Sequence, residues 1–197
     1  MTVTTFSGSY AYWHGLGTSK VWTGEQFTSS AALYNEYVTK TEFKMKTVGS
    51  PTGSVVCKLL DASDNVISTL WTISCSAITS TTGDFYGSTC TEFQLQGDYT
   101  IMVEHTSGYD SSNYIAVNVG APNQYDGSNS YSRLKEGSTA YNNTDNDYYM
   151  RITHESTSGG GSGGGGSGGG DGGSSIDTSE GGYNPEVLQI LKIGVPK

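Results

Sequence analysis

The chain has 197 residues, with 19 acidic against 10 basic, a formal net charge of −9 and only 15% charged residues. The length allows one domain with a sizeable core, and the acid excess argues against phosphate-backbone binding, which relies on clustered Lys and Arg. No basic patch interleaved with aromatics is visible along the sequence, and no window reaches the roughly 18 apolar residues of a membrane span.

Met1 to Phe6 lacks the basic start and apolar stretch of an export signal. A short strand is predicted at Thr2 to Phe6 and another at Val21 to Phe27. In Thr41 to Thr47, Phe43 and Met45 share one side while Glu42, Lys44 and Lys46 share the other, the pattern of a half-buried strand. A turn at Gly49-Ser50-Pro51-Thr52-Gly53 leads to a more buried strand, Ser54 to Leu60. Asp61 to Asn65 then forms a loop of about five residues into Val66 to Trp71, which together read as a hairpin. Further strands are expected at Cys90 to Leu95, Tyr99 to His105, Tyr114 to Val119 and Tyr148 to His154. In the last of these, Tyr148, Met150 and Ile152 alternate with Tyr149, Arg151 and Thr153. No stretch holds apolar residues at i, i+3, i+4 and i+7 for three turns, so the body is all-β.

Short strands joined by Gly, Asp, Asn and Ser turns predict two packed antiparallel sheets, a β-sandwich with jelly-roll winding over residues 1–155. The turn Gly49-Ser50-Pro51-Thr52-Gly53, the strand ending in Asp61-Ala62-Ser63-Asp64, Gly97-Asp98-Tyr99 before an apolar strand and the closing strand carry a resemblance. Together they resemble the lectin-like or carbohydrate-binding-module-like jelly rolls of microbial and viral surface proteins, over roughly residues 20–154. That resemblance implies the sandwich fold and hints at glycan recognition.

Catalytic signatures are absent from the pattern. His14, His105 and His154 are scattered, and the aspartates Asp61, Asp64, Asp84, Asp110, Asp126, Asp145 and Asp147 read as turn formers bonded to their own backbone. The chain is therefore read as a non-enzyme, with a β-sandwich glycosidase as a lesser alternative. Cys57, Cys75 and Cys90 read as small core thiols, a Cys75–Cys90 disulfide being the alternative. Asn143-Thr144-Asp145-Asn146-Asp147 concentrates hard oxygen ligands, so Asp145 and Asp147 are candidates for a structural calcium, against a solvated loop. For sugar, Trp13, Tyr109 and Asn123-Gln124-Tyr125-Asp126 combine ring faces with amides and a carboxylate, because pyranose C–H groups stack while hydroxyls need hydrogen bonds.

From Ser156 to Ser175 the sequence is almost pure Gly and Ser, a segment whose backbone entropy no packing could offset. Its irregular spacing and the interrupting Asp171 favour a natural tether over a cloned one. Residues 176–197 follow, with Pro185, Val187, Leu188, Ile190, Leu191, Ile193 and Val195 as an apolar anchoring peptide. As a helix it would align Val187, Ile190 and Leu191. As a strand it would align Val187, Gln189, Leu191 and Ile193, which its β-branched residues favour. Either form is too short to stand alone, so docking on a protein scaffold or neighbouring subunit is expected. The leading expectation is a structural or decorating subunit of a surface assembly, a virion or an extracellular surface, present as a homo-oligomer or part of a larger assembly. The alternative is a glycan-binding module of an adhesin or secreted enzyme.

Overall fold

A computed structural model describes residues 1–6, 10–17, 20–121, 129–143 and 146–156, all within the first of the chain's two units, Met1–Gly160. The anchoring peptide, and the tether beyond Ser156, lie outside the described residues. Thirteen strands are present among those described: β1 (Thr2–Thr5), β2 (Tyr10–Leu16), β3 (Lys20–Phe27), β4 (Tyr37–Val48), β5 (Ser54–Leu60), β6 (Val66–Ser74), β7 (Asp84–Gln94), β8 (Tyr99–His105), β9 (Tyr114–Ala121), β10 (Ser130–Glu136), β11 (Thr139–Asn143), β12 (Asp147–Tyr148) and β13 (Met150–Glu155). The one helical element among them is a single 3-10 turn, Cys75–Ala77.

All pairings are antiparallel and fall into two sheets. Strands β2 to β9 pair as nested rungs: β5 with β6, β4 with β7, β3 with β8 and β2 with β9. Alternate rungs lie in different sheets, and two further ladders, β4–β9 and β5–β8, join the rungs within each sheet. Sheet A thus contains β2-β9-β4-β7 and is extended by β12, β13 and β1. Sheet B runs β11-β10-β3-β8-β5-β6.

Strand β4 organises sheet A. Along one edge it pairs with β7; along the other, Tyr37 to Phe43 pair with β13 and Met45 to Val48 with β9. The chain changes partner at Tyr149, with Tyr148 opposite Val119 of β9 and Met150 opposite Phe43 of β4.

The predicted alternation governs burial. Phe43, Met45, Val117, Val119, Tyr148, Met150 and Ile152 from sheet A meet Phe27, Val55, Cys57, Leu59, Trp71, Ile101 and Val103 from sheet B in one shared core. Each such large side chain contributes about 1.5–3 kcal/mol through burial. Within that core Trp71 Nε1 donates to Thr41 Oγ1 at 2.8 Å, so this buried polar pair satisfies itself. Sheet B carries a second apolar cluster on its outer face, where Trp22, Leu60 and Met102 pack with Ala140.

Several turns follow the expected chemistry. Asp61 Oδ1 accepts from the backbone of Ser63 and Asn65 at 2.8 and 2.9 Å, closing the β5–β6 hairpin, and Asp110 does the same for Ser112 and Asn113. Two aspartates depart from it. Asp64, at φ 64°, reaches Arg133 on β10, and Asp147 is not a turn residue but a buried member of β12. All three cysteines are free thiols, so the Cys75–Cys90 disulfide is not formed.

Candidate functional site

The outer face of sheet A is built from β4 outward. Thr41, Phe43 and Met45 are fully buried, so the pleat turns Lys40, Glu42, Lys44 and Lys46 to the opposite side. The neighbouring strands place rings and one more cation beside them. Strand β7 sets Phe85 opposite Lys44, β13 sets Arg151 opposite Glu42, and the Lys44 amide donates to the Tyr149 carbonyl at 2.8 Å. Strand β9 sets Ala116 opposite Lys46, and β2 sets Trp13 opposite Asn118.

Each of three cations lies against a ring. Lys46 Nζ is 4.3 Å from the Trp13 ring centre, Lys44 Nζ is 5.2 Å from that of Tyr149, and the Arg151 guanidinium carbon is 3.7 Å from that of Phe85. Small residues let the rings lie close to the sheet. A side chain at Gly83 would overlap the Trp13 indole, and one at Gly15 would come within 2.9 Å of the Tyr114 ring. Ala116, beneath the span from Trp13 to Lys46, is only 1% exposed although it points outward. All seven residues of the cation–ring face — Trp13, Lys44, Lys46, Phe85, Tyr114, Tyr149 and Arg151 — are half-buried, which fixes them while leaving them accessible.

The charge state of this face matters more than the pair energies. A cation over a ring gains about 0.5–1 kcal/mol at an exposed site, similar to an exposed ion pair, yet it keeps its full charge and its donors. Lys40 is paired with Glu42 at 3.0 Å. Lys44, Lys46 and Arg151 make no ion pair among the described residues.

A second constellation lies inside the sandwich. His14 Nδ1 and the Tyr148 hydroxyl share a hydrogen bond at 2.7 Å, and the Tyr148 amide donates to Glu25 Oε2 at 3.0 Å. Burial, helped by nearby Lys20, lowers the His14 pKa to about 4, and burial pushes the Tyr148 phenol far above its usual range. Both partners are therefore neutral near pH 7, and their bond ties β2 to β12 across a polar stretch of the interior. A third pair, Cys75 Sγ and His105 Nε2 at 3.1 Å, is also buried. There Nε2–H donates to the Thr52 carbonyl at 2.8 Å, and burial raises the thiol pKa, so the sulfur is a protonated packing group.

Of the sequence-predicted sugar residues, Trp13 is on the sheet A face. Tyr109 sits in the β8–β9 loop against His105, 5.1 Å between ring centres, and over Gly17. Asn123, Gln124, Tyr125 and Asp126 lie outside the described residues, as do Asp145 and all the anchoring residues. Asp147 is 1% exposed opposite Gly120, and no group of three or more His, Cys, Asp or Glu side chains among the described residues is placed to hold a metal. The residues of this face that sequence reasoning missed are Lys44, Lys46, Phe85, Tyr149 and Arg151. Their outward alternation was readable on β4 and β13, but not that these strands are neighbours.

No family model, curated protein or solved structure matches the chain. Among the described residues no helix is long and apolar enough to cross a membrane.

Proposed function

We propose that the body is a non-catalytic carbohydrate-binding module, wound as a jelly roll, that takes sugar on the outer face of sheet A. The nested rungs 2/9, 3/8, 4/7 and 5/6, alternating between two sheets, support the jelly-roll reading, since that is how one long hairpin rolls into two Greek keys. The observation that carries the binding reading is the set of four rings, Trp13, Tyr114, Phe85 and Tyr149, on one accessible sheet face. Ring edges and faces there give an apolar platform for pyranose C–H groups, and Lys44, Lys46 and Arg151 beside them supply hydrogen-bond donors.

The test is a glycan array with the full chain, followed by titration of each hit against Trp13→Ala and Tyr149→Leu. At least a tenfold loss in both variants, with an unfolding midpoint that keeps them folded at the assay temperature, is expected; wild-type affinity in both would overturn the assignment of the face.

The Gly/Ser run favours a wider context, in which this module is displayed on a surface assembly such as a virion and held by residues 176–197. A tether of about 15 such residues has a root-mean-square reach of roughly 20 Å and a limit of about 50 Å. Ending the chain after Ser156 is expected to leave the body folded and abolish co-sedimentation with the assembly. Retention of the shortened chain on the particle would remove this reading.

A further inference from the structure

Resting on the sheet A face being a sugar site, we infer that its ligand is an acidic glycan, a polymer whose sugar rings carry carboxylate or sulfate groups. The ammonium groups of Lys44 and Lys46 and the guanidinium of Arg151 face outward with no carboxylate in ion-pair range among the described residues. Each is held against a ring, so its position is fixed without its charge being cancelled. In Arg151 the stacking on Phe85 leaves the guanidinium edge, which forks onto a planar or tetrahedral anion with two parallel N–H donors. Rings already covered by a cation offer less open area for stacking a neutral sugar. They offer instead a donor beside an apolar patch, and a sugar acid carries an anion and C–H groups on one ring.

The rest of the molecule argues against the other polyanions. A nucleic acid strand is held by many phosphate contacts and a broadly basic surface, whereas this chain is acidic overall at −9 and this face supplies three unpaired cations. An acidic peptide would need the same cations but would make no use of the ring platform. An anionic polymer of moderate charge density, binding by its rings as well as its acids, fits the arrangement.

The experiment measures binding of the full chain to polygalacturonate, to its fully methyl-esterified form, to dextran sulfate and dextran, and to oligothymidylate and polyglutamate as charge controls. Expected are binding to at least one acidic glycan, about tenfold weaker binding to its neutral counterpart, and a similar loss on raising salt from about 50 to 500 mM. A triple variant, Lys44→Gln, Lys46→Gln and Arg151→Gln, is expected to lose the preference for the acidic form while staying folded at the assay temperature. Should that variant unfold, the esterified and neutral polymers on the wild-type chain decide alone. Equal affinity for acidic and neutral forms would overturn the inference and leave the carbohydrate reading standing. Equal affinity for oligothymidylate or polyglutamate would show a response to charge alone and overturn it. No binding to any glycan, here or on the array, would remove the underlying reading itself.

Discussion

The two outer faces of the sandwich handle their charges in opposite ways. On sheet B, Arg133 donates through Nε and Nη2 to both Asp64 oxygens at 2.9 and 2.7 Å and through Nη1 to Asn142 at 2.6 Å. Lys58 is likewise paired with Glu104. These pairs share the face with a buried apolar cluster, Trp22, Leu60 and Met102. On sheet A Lys40 is paired with Glu42, but Lys44, Lys46 and Arg151 meet rings and keep their charge. The charges on one face are cancelled in ion pairs, whereas three cations on the other are held against rings. Both sets arise from outward positions of half-buried strands, and the difference lies in what each cation reaches: Asp64 and Glu104 on sheet B, and the rings of Trp13, Phe85 and Tyr149 on sheet A.

That contrast is open to direct challenge by substitution. The largest effect is expected for Trp22→Ala on sheet B, about 3–5 kcal/mol, since it opens a cavity under a sealed face; urea unfolding that gave less than 1 kcal/mol would mean the cluster is not packed as described. The polar interior between the faces sets the next scale. His14 is lowered from 6.5 to about 4, so as pH falls through 6.5 the unfolded chain takes up a proton that the folded chain refuses. Stability is thus full above pH 6.5, declines down to about pH 4 and then levels for this group, by about 2 kcal/mol after discount for partial exposure. Denaturant midpoints across that range should flatten in His14→Leu, and an undiminished slope would place the acid sensitivity elsewhere.

Smaller still is Asp64→Ala, about 1–2 kcal/mol from the lost charge-assisted bonds to half-buried Arg133. Full stability in that variant would show the Arg133 pair to be decorative. Smallest is removal of the sheet A charges: Lys44→Gln, Lys46→Gln and Arg151→Gln are each expected to stay within about 0.5–1 kcal/mol of wild type. A loss above about 2 kcal/mol from any one would make that face a stability device as well and erase the contrast.

Much of the fold is legible where one face of a strand is apolar. The outward set Glu42, Lys44 and Lys46 and the inward set Tyr148, Met150 and Ile152 follow from period-two alternation and are found so placed. The strands without that signal were not legible. In β10 the buried side is Ser130, Ser132 and Leu134, while Tyr131 and Arg133 stand outward, so two of the three inward residues are polar and the apolar period is broken. In β2 the outward residues are Trp13 and Gly15 and the inward His14 is bonded to Tyr148, which again conceals the period. Strand β3, predicted at Val21 to Phe27, is found at Lys20–Phe27, though both its faces are buried from Trp22 on, because sheet B has an apolar cluster outside as well as in. The cation–ring face escaped notice for a different reason. Its cations come from β4 and β13, more than a hundred residues apart in sequence, and only the register of Glu42 with Arg151 makes them one surface.

Strand β13 has a mechanical consequence. It is the last strand described and lies between β1 and β4, with Thr2 opposite His154 and Thr153 opposite Lys40. A pulling force applied through Ser156 therefore loads two ladders at once. The same force applied to Met1 loads one ladder, that of an outermost strand. A module dragged by its C-terminal side is accordingly held more firmly than one dragged by its N-terminal side. Deleting residues 1–5 should lower the force at which a pull through Ser156 unfolds the body.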